Sequence, residues 1–450
     1  MSQIVATRKF EIAPDNLTGN GQVWSPQTGN PIITFTIANS EMYLRSKNLK
    51  LCFDVELFTA GGGVPTNGQV QLSDRIGAAG LFSQLEINNL ALNQNLETIR
   101  NFGRLQSSLL ANGSGWDDYT TYLSNEFGAS ANININNRYS KGVISCAMPI
   151  MAGLFLGANR DIPLSNDNGV GGLFLKFSLS PNTSALFGTA VAAGGYYNIK
   201  NVSLMGEYGM VASGKLPNIE SYSFSAFSSF YNVINNNDST FQVSPSLNAV
   251  VSSYTNFIPV THVSNGAEDG YKTTPLLNKD PTTGVYDQLA PITRVSWTRS
   301  GILYPLQFGI DESAMVQETA GANVFGNSKF EAERQYYYSM AIRPKTSSQT
   351  DTLAGQNSEG LPFANGDVEH NTVSTTANIA ASGTYANVYG VGIRLGDMMG
   401  TGSSVNFKTS PYGLRIQSKL NGSSPMAAFT FFLYRSRINY GTNGVVQIIN

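Results

Sequence analysis

The chain has 450 residues and a formal charge of −2, and only 13% of its residues are Asp, Glu, Lys or Arg, about half the share of an average soluble domain. With 41% hydrophobic and 11% aromatic residues it has material for packed cores, which excludes a disordered polyelectrolyte. Its basic residues are scattered, with no run able to neutralise several phosphates, so no direct sequence-specific nucleic-acid binding is expected.

The 45 glycines and the pairs Asn20-Gly21, Asn67-Gly68, Asn168-Gly169, Asn421-Gly422 and Asn443-Gly444 are the turn chemistry of antiparallel strands. All-β units often run to about 200–250 residues, so two large units fit this length. The opening "MSQIVATRKFEIAPDN" has no apolar signal-peptide core, and a protein made and used without secretion is expected. On that expectation the Asn-x-Ser/Thr sites at Asn16, Asn182, Asn201 and Asn237 stay unmodified.

Taken in chain order, Ile33, Phe35 and Ile37 alternate with polar residues, which predicts a strand. A stronger alternation follows at Leu49, Leu51, Phe53, Val55 and Leu57, with Lys50, Cys52, Asp54 and Glu56 in the opposite phase. Cys52 is thereby placed on the second, partly covered face of that strand. Gly61-Gly62-Gly63 lacks the Lys-Ser or Lys-Thr of a phosphate loop and reads as a turn. Another strand is expected around Leu85 and Ile87. In "ALNQNLETIRNFGRLQSSLLANG", Leu92, Leu96, Ile99, Phe102, Leu105 and Leu109 recur at spacings of three and four before Asn112-Gly113, which predicts a helix.

A polar loop, Asn112 to Lys141, comes next; Asp117 and Asp118 beside Trp116 read as exposed loop rather than as a glycosidase pair. The uncharged window Gly142 to Asn159 approaches the length of a membrane span, but Pro149, its glycines and the flanking Lys141 and Arg160 favour a buried strand and a tight apolar turn. Cys146 lies in that strand. Two cysteines in 450 residues supply neither a disulfide framework nor a thiolate cluster.

"GLFLKFSLSPN", Gly172 to Asn182, has a distorted echo in "YGLRIQSKLNGSSP", Tyr412 to Pro425. Aligning Gly172 with Gly413 superposes Leu173 on Leu414, Leu175 on Ile416 and Leu179 on Leu420, with Ser418 opposite Phe177 as the exception. Each copy is followed by a strand pattern, "YYNIKNVSLMGEY" or "AAFTFFLYRSRINY", and preceded by a Gly-rich apolar element, "MAGLFLGANRDIPL" or "NVYGVGIRLGDMM". A second helix is expected in "NSKFEAERQYYYSMAIRP", where Ser328 and Glu331 have capping-box spacing. It precedes a second polar loop, Arg343 to Ala386.

A repeat this long is a duplicated domain rather than a solenoid, whose units are about 20–50 residues. "VASGKLPNIES" carries linker residues, so the expected division is 1–212, a linker at 213–220 and 221–450. His262 and His370 lie in polar loop sequence without partners for a triad or a zinc site. Gly390, Gly392 and Gly396 miss dinucleotide-binding spacing and lack its helix. No catalytic, cofactor-binding or metal residues are assigned, and no enzyme is expected.

Four stretches, "PIITFTIANSEMYLRSKNLKLCFDVEL", "GLFSQLEINNLALNQNLETIRNFGRL", "GANRDIPLSNDNGVGGLFLKFSLSPN" and "AFTFFLYRSRINY", make the chain resemble the double jelly-roll major capsid proteins of icosahedral double-stranded DNA viruses, in the group with virophages, polinton-like viruses and adenovirus-type hexons. The resemblance implies an all-β fold of two tandem eight-stranded jelly-roll sandwiches, with one short helix in each and long surface loops. It also implies a homotrimer with six nearly equivalent lobes, a pseudo-hexagonal capsomer that tiles a shell.

In such a virion the loops Asn112 to Lys141, Val260 to Gln288 and Arg343 to Ala386 would face outward, and Met1 to Asn20 inward. The partners implied are neighbouring capsomers, minor capsid, penton and cement proteins and an internal membrane, with assembly in the host cytoplasm or nucleus. The competing readings are a β-sandwich adhesin or carbohydrate-binding surface protein, using aromatics such as Trp116 or Tyr119, and an all-β carbohydrate-active enzyme with two carboxylates in a cleft.

Overall fold

In the computed structural model the residues described are 4–19, 21–27, 29–39, 41–66, 68–73, 76–113, 143–156, 161–165, 170–212, 216, 221–235, 238–260, 263–266, 270–271, 278–279, 286–287, 292–304, 310–311, 390–395, 404–418, 425–440 and 446–449. The alternating segments form the strands. Those before residue 213 are β1 (Ile4–Ile12), β2 (Ile32–Ile37), β3 (Tyr43–Leu44), β4 (Lys50–Phe58), β5 (Gln71–Leu72), β6 (Phe82–Asn89), β7 (Gln94–Arg100), β8 (Val143–Pro149), β9 (Ile162–Pro163), β10 (Leu173–Leu179), β11 (Leu186–Phe187) and β12 (Tyr196–Val211). After residue 220 come β13 (Ser221–Ile234), β14 (Asp238–Val243), β15 (Val250–Pro259), β16 (Asn278–Lys279), β17 (Tyr286–Asp287), β18 (Ile292–Arg299), β19 (Ile302–Tyr304), β20 (Ile310–Asp311), β21 (Gly390–Arg394), β22 (Tyr412–Ser418), β23 (Met426–Tyr440) and β24 (Val446–Ile449).

Two sheet orders recur. In the first set β8, β4, β12 and β1 pair successively, and β2, β10, β6 and β7 make a second sheet. In the later set the corresponding orders are β21, β15, β23, β13 and β14, β22, β18, β19. Ranked along the chain, the eight strands of each set occupy the same places. Among the described residues, each sheet draws its strands from one side of 213–220.

Compactness divides the chain into one unit of Met1–Gln106, Tyr122–Ser228 and Leu433–Asn450, and another of Ser107–Thr121 and Ser229–Phe432. In the first, β4 alternates between buried and half-buried along its length, and its inward Phe53 meets Phe82 edge-on at 5.6 Å. Phe82 in turn meets Phe177 of β10 at 5.5 Å. Each such ring contributes about 1.5–3 kcal/mol through burial. Tyr197 of β12 donates its hydroxyl to the carbonyl of Ser180 at 2.7 Å, which satisfies a polar tip inside an apolar layer.

In the second unit Tyr412 of β22 packs edge-on to Phe432 of β23 at 4.8 Å, and its hydroxyl accepts from Ser253 of β15 at 2.5 Å. Burial, opposed by hydrogen bonds with Ser253 and Trp297, holds that phenol above its ordinary pKa. The opening echo occupies matching positions: β10 lies between β2 and β6, and β22 between β14 and β18.

One expectation is corrected. The helix read over residues 91–113 is half strand: Gln94–Arg100 pairs with β6, from Gln84↔Arg100 to Asn89↔Gln94, and only Phe102–Gly113 is helical, α1. A bulge between Ile87 and Asn88 breaks the strand's period of two, and buried Leu96 and Ile99 then mimic a helical spacing. Asn93 and Asn101, both at positive φ, close the hairpin and separate strand from helix.

The window after Gly142 opens on a strand with one face buried and the other partly exposed rather than a fully buried one, β8, followed by a single helical turn, α2 (Gly153–Leu156); residues 157–159 lie outside the described residues. A similar single turn, α3 (Asn182–Ala185), follows β10. No helix among the described residues is long and apolar enough to cross a membrane. The two Gly-rich apolar elements are offset: "MAGLFLG" follows β8, whereas "YGVGIR" contains β21 itself. The helix expected around Ser328 to Pro344 lies outside the described residues.

Candidate functional site

His262, His370, Trp116, Asp117 and Asp118 lie outside the described residues. Gly390 and Gly392 belong to β21, and the Thr59 amide donates to the Gly63 carbonyl at 2.9 Å across the Gly61-Gly62-Gly63 turn. Neither cysteine forms a disulfide; Cys146 is buried and Cys52 half-buried. Burial and the charge of Glu11 push the Cys52 thiol up, with Lys50 acting the other way. Among the described residues no group of three or more His, Cys, Asp or Glu could hold a metal ion. A cleft of about 440 Å³ is lined by Ala38, Asn39, Glu41, Leu90, Leu164, Gly171 and Gly172, and among these described residues Glu41 is the one carboxylate.

The equivalent outer sheet faces differ. On β4 the outward residues Lys50, Cys52, Asp54 and Glu56 are half-buried. They carry a polar lattice in which Lys200 meets Glu56 at 2.8 Å, Ser145 donates to Asp54 at 2.6 Å and Asn201 donates to Asp54 at 2.8 Å. On β15, the counterpart, Ser253 points inward to Tyr412, so Ser252, Tyr254, Asn256 and Ile258 point outward, yet all are at most 3% exposed. Part of that cover is α1, where Asn256 donates its side-chain amide to Ser108; along the sheet, Tyr254 lies 5.4 Å from Phe431 of the neighbouring β23.

A third feature is a carboxylate with no exposed surface. Glu97 of β7 is 0% exposed. It accepts backbone N–H bonds from Gly153 and Leu154 at 2.9 Å each and from Phe227 of β13 at 2.7 Å. Burial pushes its pKa up to about 7, against the lowering effect of the three N–H donors. Sequence reasoning had no signal for it, because a single Glu beside Leu96 reads as a solvent-facing position.

The strand ends that launch the long connections are well placed. Register brings Glu56 of β4 opposite Val143 of β8, and Asn256 of β15 opposite Gly390 of β21. Within each unit, therefore, the connection leaving β4 or β15 and the one entering β8 or β21 share one end of the sheet. The loops themselves lie outside the described residues, apart from short pieces.

No protein-family model matches the chain, and neither does any curated protein. Solved structures do. A chain of the Sputnik virophage matches with a TM-score of 0.51 at 11% identity, over 99% of this chain and 88% of that one. VP54 of PBCV-1, fitted into a reconstruction of Sputnik, matches with a TM-score of 0.53 at 10% identity, over 100% and 98%. The mavirus major capsid protein gives 0.49 at 12% identity, over 98% and 89%. The chain folds as a double jelly roll. In this double jelly roll one roll is β1, β2, β4, β6, β7, β8, β10 and β12, and the other is β13, β14, β15, β18, β19, β21, β22 and β23. The remaining short strands and α1 to α3 are additions to the two rolls.

Proposed function

We propose that the chain is a major capsid protein that forms homotrimeric, pseudo-hexagonal capsomers tiling an icosahedral shell. The observation that carries this reading is the duplication itself, eight strands in one order used twice in a single chain. Three copies about a threefold axis would then present six similar lobes, and closed symmetry would supply a tile. The unequal outer faces support self-association: the outward residues of β15 are buried, while the matching face on β4 is half-exposed and would receive a second copy.

The division at 213–220 belongs to the same reading, because the sheets on either side do not mix. So do the wider expectations: outward loops, contacts with neighbouring capsomers and minor capsid, penton and cement proteins, an internal membrane beneath, and assembly in the host cytoplasm or nucleus. Light scattering of the purified protein, followed by negative-stain imaging, tests it. Three times the 48.4 kDa chain mass and hexagonal particles are expected. A monomer at high concentration that binds glycans would overturn it in favour of a surface lectin.

A further inference from the structure

Glu97 lies where β7, the turn after β8, the first half of β13 and the later part of β23 meet, all within the first unit. Its three donors are backbone amides from two segments far apart in sequence, Gly153 with Leu154 and Phe227. At Gly153 a Cβ would fall 2.6 Å from the Ala226 backbone, so the turn is seated directly on β13. The residues 150–156 and 221–228 carry no charged side chain. On β23 the titratable neighbour is Tyr434, whose hydroxyl is pushed up by burial and by the charge of Glu97, while Arg435 and Arg437 are exposed. On β7 itself Arg100 is exposed, and Arg104 of α1 is half-buried. Among the described residues none forms an ion pair with Glu97.

We propose that Glu97 is a proton-binding site that acts as a clasp, closing the turn Gly153–Leu156 onto β13 when its carboxyl is protonated and loosening it when ionised. An ionised carboxylate sealed from water without a cation is costly, and three amide donors offset that cost only in part. The inference concerns the single chain and holds whether or not the chain forms trimers.

The direction follows from linkage. Glu97 is raised in the folded state to about 7 from 4.5, so its contribution to stability is complete below the unfolded value and is lost as pH rises through the folded one. Between pH 6 and pH 8 opening of the clasp should increase about tenfold.

Hydrogen exchange of the intact protein, corrected for the pH dependence of the chemical step, reads this at the peptides covering 150–156 and 222–230. Protection at both is expected to fall about tenfold across that interval, while a peptide covering β10 keeps its own. Unchanged or increased protection would overturn the proposal. Thermal unfolding of Glu97→Gln gives the second arm. The substituted side chain offers one acceptor oxygen and turns its own amide group toward a donor, so the variant melts lower at pH 6, and the gap to the parent narrows by pH 8.5. A gap that widens with pH would mean that the ionised form is the stabilising one, and the proposal would fail.

Discussion

At Gly153 the missing side chain is a packing requirement. Gly153→Ala drives a methyl against the Ala226 backbone and should cost about 1–3 kcal/mol in denaturant unfolding, a loss that Ala226→Gly would not repair because the clash is with main chain. The aligned glycines of the echo serve different purposes: Gly172 has φ +80°, while Gly413 lies inside β22 beneath Thr298. Only Gly172 needs the left-handed region, so Gly413 reflects steric crowding and Gly172 a turn. Phe82 bridges Phe53 and Phe177, and Phe82→Ala should cost about 3–5 kcal/mol in the same assay. Cys52, with its thiol pushed up, should alkylate more slowly at neutral pH than an unburied thiol, with a rate that levels off at a higher pH than that thiol's. Rapid labelling at pH 7 would show that the face around Cys52 opens.

Strands were legible element by element wherever one face is buried, because side chains then alternate with a period of two. β4, β10 and β2 alternate without interruption. The hairpin of β6 and β7 was not legible. Its bulge shifts the phase, and the partner strand that holds Leu96 and Ile99 in extended conformation is a tertiary fact. β10 makes the corresponding point about position in a sheet. Lys176 pairs with Thr34 on one side and Glu86 on the other, so Lys176→Pro removes a ladder donor from a central strand and should cost about 3 kcal/mol or more. Loss of soluble, cooperatively melting protein is the expected outcome, whereas full expression with an unchanged melt would show that β10 is not central.

For the molecule as a whole, a chain with only 13% charged residues should make the proposed trimer depend little on ion pairs. Raising salt to about 0.5 M shortens the screening length to about 4 Å; light scattering should still show the oligomer there, and dissociation would point instead to the polar lattice around Glu56 and Lys200 as its main support. By itself the sequence determined the all-β class, the principal strands and the doubling, since each follows from turn residues, period-two patterning and a repeated order of segments that need no knowledge of neighbours. The tertiary structure alone decided that Leu96 and Ile99 belong to a strand, that the outer face of β15 is covered while that of β4 is not, and that Glu97 is sealed against three amides. The last two depend on which distant segments come to lie against one another, and pairing across that distance leaves no periodic trace along the chain; the first turns on a bulge inside a local hairpin, which breaks the period of two.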